Sequence, residues 1–517
     1  MKTRTCLWLR VVVCSLFLLQ PVSPLASQSL TLLDTLPGHS SSGATAVAAG
    51  GGVVVGWSET PGGELRAFRW TPAGGMQELI YAGSSQSIAY GVSADGSTAV
   101  GYALVPGGSR ILRWRADTGV ENLGNVPNYT ASGAALGASA DGSVVVGFVT
   151  HPRGFQRGFH WITGGGMMNL GSLGGTSLND QSAANGVSLD GTFVVGWTRV
   201  AASDTDYRHT AAFIWTEANG MQSLGGLPEA SLYFDRSSAS AVIPDGTIVA
   251  GKVRTASGQW HAGRWVAGTG WSDLGTLGGS LSEASGISAS GTVVVGWSAI
   301  PSGDFHAFRW TPERGMEDLN TVYASLLQGV ELETATAISP DGRFIVGRAR
   351  IMADNRHQAY LLDTDEVQDV QIRATTHLDG FVGDPVSLPV HVELRSPGQS
   401  TPVQQYTVNL GSNGEFSLTT QMNGIWDVSV TVPHFLRRTV HKALAFGRLH
   451  LSLYLINGDI DGDNEVTLFD FGRLVTAFGS MPGDANWDAN ADLDGDGEVS
   501  LFDFGVLVQN FGAIGDE

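Results

Sequence analysis

Between residues 30 and 364, apolar and polar residues alternate in short runs that return in the same order. Each unit reads approximately A-x-G-V-S-x-D-G-x-x-V-V-G-W, then a variable stretch, then A-F-R-W-T and G-M-x-x-L-G. The first half occurs as VAAGGGVVVGW, VSADGSTAVGY, ASADGSVVVGF, VSLDGTFVVGW, VIPDGTIVAGK, ISASGTVVVGW and ISPDGRFIVGR. The aligned glycines Gly56, Gly101, Gly147, Gly196, Gly251, Gly296 and Gly347 are 45 to 55 residues apart. Runs this short and β-branched, at that period, predict strands in a repeated array and not helical hairpins. Each unit holds four strand candidates, two of them joined by a D-G turn such as Asp141-Gly142, which supplies the positive backbone angles of a tight hairpin. Four strands per unit make a propeller blade.

The ends of the array predict closure. The last unit lacks a G-M-x-x-L-G strand after AYLLDTD, whereas the array opens with an unattached SLTLLDTLPG (Ser29 to Gly38). Placing Leu30 to Leu36 in the last blade leaves the ring without an exposed edge. The expected fold is therefore a seven-bladed β-propeller over 29–364, with six or eight blades if unit and sheet do not coincide. The string FHAFRWTPERGMEDLN, with His306-Ala307-Phe308 inside it, resembles the bacterial extracellular repeats named HAF. That resemblance implies a repeat class and no particular chemistry.

Several repeat positions were candidates for chemistry. Trp70, Trp114, Trp161, Trp215, Trp265 and Trp310 recur once per unit, with Leu362 in the last, and are expected to pack between blades; sugar-stacking platforms are the alternative. Asp95, Asp141, Asp190, Asp245 and Asp341 read as turn residues. His209, His261, His306 and His357 stand a blade apart, too far to share one ion. The insert TRVAASDTDYRHTAAF carries Asp204, Asp206, Tyr207 and His209 and reads as a solvated loop or the lining of a binding funnel.

From about residue 366 the pattern changes to VQIRATT, LPVHVELRSP, QQYTVNL, EFSLTT, IWDVSVTV and LHLSLYLI, separated by turn-rich DGFVGDP, PGQSTP and GSNG. Six or seven short alternating strands predict an antiparallel, Ig-like β-sandwich over 366–456. The portion GEFSLTTQMNGIWDVSVTV resembles carboxypeptidase-regulatory-like modules, which implies a spacer or binding module.

The last segment, 457–517, holds the clearest chemistry. DIDGDNEVTLFDFGRLVTAFG begins at Asp459, and DLDGDGEVSLFDFGVLVQNFG repeats it from Asp492. Calcium takes six to eight oxygens, which a twelve-residue loop supplies from positions 1, 3, 5, 7, 9 and 12. Those positions are Asp459, Asp461, Asp463, Glu465 (carbonyl), Thr467 and Asp470 in the first loop. In the second they are Asp492, Asp494, Asp496, Glu498 (carbonyl), Ser500 and Asp503. Two calcium ions are expected. Thr467 and Ser500 are placed to cap helices in capping boxes with Asp470 and Asp503. Phe471, Leu474, Val475 and Phe478 fall on one helical face, matched by Phe504, Leu507, Val508 and Phe511. A strand-like LHLSLYLING and a polar GDANWDAN precede the loops, so each has an exiting helix and no entering one. Two such half-hands resemble a type I dockerin. That resemblance implies docking onto a cohesin module, often beside polysaccharide-degrading enzymes. Two features depart from it: Asn464 replaces glycine at loop position 6, and Leu468-Phe469 and Leu501-Phe502 replace the small hydroxyl residues that contact cohesin. Those four residues either meet a different partner surface or close an internal core.

Composition fits an exported chain. The 70 glycines among 517 residues suit many strands and turns. Lys2, Arg4 and Arg10, then VVVCSLFLL and SPLASQS, form the layout of a cleaved signal peptide over 1–28, and both cysteines, Cys6 and Cys14, lie within it. Disulfides are therefore not expected in the mature chain, nor is a transmembrane segment. The net charge of −20 argues against nucleic acid. From residue 457 onward fourteen Asp and Glu face one basic residue, Arg473. Two functions fit: a secreted or surface-attached, non-catalytic binding protein anchored by its calcium-dependent tail, or an extracellular polysaccharide hydrolase or lyase whose propeller carries the active site. Polysaccharide at the propeller is a candidate partner in either case.

Overall fold

Seven four-stranded antiparallel sheets succeed one another from Ser29 to Asp363 in the computed structural model. The structure describes residues 28–517 apart from 128, 130–131, 174–180, 201–209, 229–235, 367 and 387. Residues 1–27 of the expected leader, and Asp204, Asp206, Tyr207 and His209 of the insert, lie outside the described residues.

The repeated glycine follows from the inner strand. In every blade that strand bulges at a matching position, between Ala44 and Ala46 in the first and Ala335 and Ala337 in the last, where a second bulge lies between Leu332 and Thr334. A bulge puts two residues opposite one and bends the strand. The bend pushes a carbonyl against the neighbouring strand: a Cβ on Gly56 would lie 2.1 Å from Gly43 O, and one on Gly347 would lie 1.8 Å from Thr334 O. Only glycine fits such an approach. The bulged residues, among them Thr45, Asn185 and Thr336, line the axial cavity. Thr45 Oγ1 donates to Ala89 O in the next blade at 2.6 Å.

Ring closure is as expected, through a shorter strand. Ser29–Leu32 pairs with the last blade, Leu30 opposite Leu362. Thr336 Oγ1 of blade 7 donates to Ala44 O of blade 1 at 2.8 Å, and Ala359 N to Ser42 Oγ at 2.9 Å. The recurring tryptophans pack between blades. Trp161 is buried among Val100 and Ile111 of the preceding blade, whose Arg113 stands 4.5 Å from its ring centroid and donates to Gly142 O at 3.0 Å. Arg264 repeats both contacts, with Trp310 and Gly291 O. Each guanidinium thus staples its blade to the next blade's tryptophan and turn.

The second unit is a sandwich of a three-stranded and a four-stranded sheet. It differs from the expected all-antiparallel form: Val370–Leu378 pairs parallel with Arg448–Leu455. A further strand, Arg438–Ala445, escapes the alternation test because its burial is irregular. Past that strand the chain turns into the propeller. Phe446, 1% exposed, packs against Ala94, Ala140 and Ala289 of the axial turns. Gly447 approaches so closely that a Cβ would lie 2.5 Å from Ser290 Cα. The sandwich therefore covers one mouth of the channel, and the opposite face is the free one.

Candidate calcium and docking site

The two acidic loops are built alike. Asp459 Oδ1 accepts Gly462 N at 2.8 Å and its Oδ2 accepts Asn464 N at 3.0 Å; Asp492 does the same for Gly495 and Gly497, both at 3.0 Å. Asn464 takes φ +71° where Gly497 takes +90°, so asparagine serves at loop position 6, as its short polar side chain allows. Its amide has a second use. Asn464 Oδ1 accepts Arg437 N from the sandwich at 2.8 Å, and its Nδ2 donates to Asp516 O at 3.0 Å.

These turns draw the carboxylates of Asp459, Asp461 and Asp463 together, with ligand oxygens within 4.8 Å of one another, and likewise those of Asp492, Asp494 and Asp496. Burial first, and then neighbouring carboxylates, push Asp459, Asp461, Asp492 and Asp494 above the usual carboxylate range. Arg473, the one basic residue of this segment, pairs with Asp488 at 2.6 Å and donates to Ile460 O, and it only partly offsets the charge at Asp461. A hard divalent cation fits such a donor set. Asp470 and Asp503 are fully buried across the loops and accept the amides of positions 2 and 3, Ile460 N at 2.7 Å and Leu493 N at 2.6 Å. Glu465 and Glu498 are exposed, each donating its amide to a loop aspartate at 2.9 Å. Both capping boxes form, on Thr467 with Asp470 and on Ser500 with Asp503, and start the helices Leu468–Ala477 and Leu501–Asn510.

Residues 457–511 match the family model of the dockerin type I domain. Dockerins bind calcium, and the two acidic clusters fit that role. A type II cohesin–X-dockerin complex from Acetivibrio cellulolyticus aligns at 24% identity over 28% of this chain and 97% of its own, with a TM-score of 0.24. An oligogalacturonate lyase from Vibrio parahaemolyticus aligns at 12% identity over 65% of this chain and 93% of its own, with a TM-score of 0.44. The β-propeller domain of the trilobed protease from Pyrococcus furiosus aligns at 9% identity over 63% and 96%, with a TM-score of 0.41. No curated protein matches the chain.

Of the two matching helical faces, only Leu474 and Leu507 enter the dockerin's core. Leu474, Leu507, Val466, Val499, Ile460 and Leu493 are buried together, with Leu436 of the sandwich. Phe471 and Phe504 meet at 6.1 Å, but both remain partly exposed, as do Val475, Phe478, Val508 and Phe511. Of the two roles open to the position 10 and 11 residues, an internal core is ruled out. Leu468, Phe469, Leu501 and Phe502 are 72 to 74% exposed. The result is a doubled apolar surface on a dockerin otherwise rich in acid.

Sequence reasoning missed the residues that set this geometry. Asn457, fully buried, donates to Leu493 O at 2.7 Å and to Asp379 O at 3.1 Å, and pairs with His434 Nδ1 at 2.9 Å. Asn490 repeats the first contact with Ile460 O at 3.4 Å. An asparagine two places before each loop was the available signal. From the sandwich, the amides of Val382 and Gly383 donate to Asp494 O at 2.8 and 2.9 Å, so the second loop is braced by another unit. Among the described residues, the repeat histidines do not converge: His261 and His306 pair with Asp273 and Asp318 of their own blades at 2.8 and 2.7 Å, and His357 with Glu333 at 3.3 Å. Among the described residues, no helix is long and apolar enough to cross a membrane.

Proposed function

We propose that this protein is a secreted, non-catalytic binding component that attaches to a cohesin-type module through its calcium-ordered dockerin, with the propeller as recognition head and the sandwich as a rigid spacer. Each loop takes one ion, held by Asp459, Asp461, Asp463, the Glu465 carbonyl, Thr467 and Asp470, or by Asp492, Asp494, Asp496, the Glu498 carbonyl, Ser500 and Asp503. The ion's chemistry is to neutralise carboxylates that otherwise repel, which lets the loops hold their helices in place. Leu468, Phe469, Leu501 and Phe502 are the anchors that enter the partner.

The observation that carries this reading is the exposure of those four side chains at matching positions of two related helices. Large apolar side chains left in water at such density mark a protein interaction surface. Capture of cohesin modules by the full chain, with calcium and with chelator, tests it. Retention only with calcium is expected; equal retention in chelator contradicts it. A carboxylate-dependent glycan turnover by the same chain would replace the non-catalytic reading with the enzymatic one.

A further inference from the structure

Away from the sandwich, between blades 4 and 5, the propeller face opens into a hollow of about 380 Å³ lined by Trp197, Arg199, Lys252, Trp260, Glu283 and Asn185. Arg199 ends its strand and Trp260 begins one, at the blade ends opposite the D-G turns that meet Phe446. The hollow lies on the free face and shares Asn185 with the axial cavity. Its aromatic members are not the recurring tryptophans buried between blades. Trp197 follows the repeated glycine, where other blades carry Trp57, Tyr102, Phe148 or Trp297, and both Trp197 and Trp260 are only partly buried.

The charges in the hollow are unequal. Lys252 Nζ pairs with Glu283 at 2.9 Å and stands 5.6 Å from the Trp260 ring centroid. Asn185 Nδ2 donates to Ala239 O at 2.8 Å, which fixes its amide and leaves Oδ1 for a donor. Arg199 has no side-chain hydrogen bond or ion pair among the described residues. A planar guanidinium with five donors matches a carboxylate bidentately. Two indole faces flanking polar groups match the C–H faces and hydroxyls of pyranose rings.

We propose that this hollow binds an oligosaccharide bearing carboxylates, with a uronate carboxylate on Arg199, pyranose faces on Trp197 and Trp260, and hydroxyls on Glu283 and Asn185. The site goes beyond attachment through the dockerin and does not rest on it. A neutral glycan would stack on the same rings but leave Arg199 unmatched.

Calorimetric titration of the full chain in calcium with tetragalacturonate, and with its methyl-esterified neutral counterpart, tests the assignment. The acidic tetramer is expected to bind at least tenfold more tightly than the neutral one. Arg199→Gln should abolish that difference, and Trp260→Ala should weaken both by at least tenfold. Trp57→Ala, at the blade 1 position equivalent to Trp197, should change neither. Arg199 lies at a strand end, so its variant keeps the test valid if Trp260→Ala fails to fold. Absence of binding by both tetramers, equal affinity for both, or affinities unmoved by Arg199→Gln would overturn the proposal. Cohesin capture by the same variants is scored separately and should be unchanged.

Discussion

The amide of Gly479, at the end of the first dockerin helix, donates to Val499 O of the second loop at 2.8 Å, and thirty-three residues later the amide of Gly512 donates to Val466 O of the first loop at the same distance. Each loop is thus laced to the helix end of the other half. Val499 N and Val466 N return the contact, to Ser480 O at 3.0 Å and Ala513 O at 2.8 Å. These four backbone hydrogen bonds cross-brace the halves, so each loop supports the helix end of the other half as well as starting its own helix. Asp492→Ala should therefore reduce amide protection in Leu468–Ala477 as well as in Leu501–Asn510. Hydrogen exchange of the full chain in calcium checks this, and an unchanged first helix would show the halves to be independent.

Phe446 closes one mouth of the propeller and is the main apolar contact of the sandwich with the axial turns. Phe446→Ala should cost about 3 kcal/mol or more of docking, the usual loss for a fully buried phenylalanine. The expected signs are faster exchange in the turns at Ala94, Ala140 and Ala289 and new proteolytic cleavage between the units. The dockerin should still bind calcium.

Asn464→Gly separates the two uses of that residue. Glycine accepts φ +71° at least as well, so calcium affinity of the first loop should hold. Losing the contacts with Arg437 N and Asp516 O should cost roughly 1–2 kcal/mol, seen as earlier melting of the C-terminus. A large fall in calcium affinity would mean that the side chain shapes the loop itself.

His434 sits where the sandwich pairs with Asn457–Asp459. Burial pushes its pKa below the usual histidine value. The unfolded chain then binds a proton that the folded chain refuses, so stability rises with pH wherever this histidine titrates. The junction should be at full strength above the ordinary histidine pKa of about 6.5 and weaken as pH falls below it. Thermal melts from pH 8 to 5 check the direction. His434→Gln should flatten that part of the profile while adding its own fixed loss of packing.

Much of this molecule is legible in its sequence, because local rules recur. The blade period, the D-G turns, the strand donated by Leu30 and the loop ligand spacing all lie within short windows repeated two to seven times, and the left-handed Asn464 follows from its loop position. What escaped is non-local. The parallel pairing of Ile372 with Leu449 and the seating of Phe446 on three blades depend on residues far apart in the chain. Leu468 and Phe469 could not be assigned to core or surface, since a helical face shows which residues lie together but not what covers them. Trp197 was hidden by its own repeat, because the W of V-V-G-W looks as structural as the W of A-F-R-W.

The central claim is that calcium orders a doubled apolar surface for a partner. The most direct measurement compares cohesin binding by the full chain with that of a variant carrying Leu468→Ser, Phe469→Ser, Leu501→Ser and Phe502→Ser, while calcium binding is counted in both. The expected result is two ions bound by each protein, in the range of roughly 10⁻⁴ to 10⁻³ M typical of extracellular sites, with partner binding lost only in the variant. Undiminished partner binding by the variant would contradict the account.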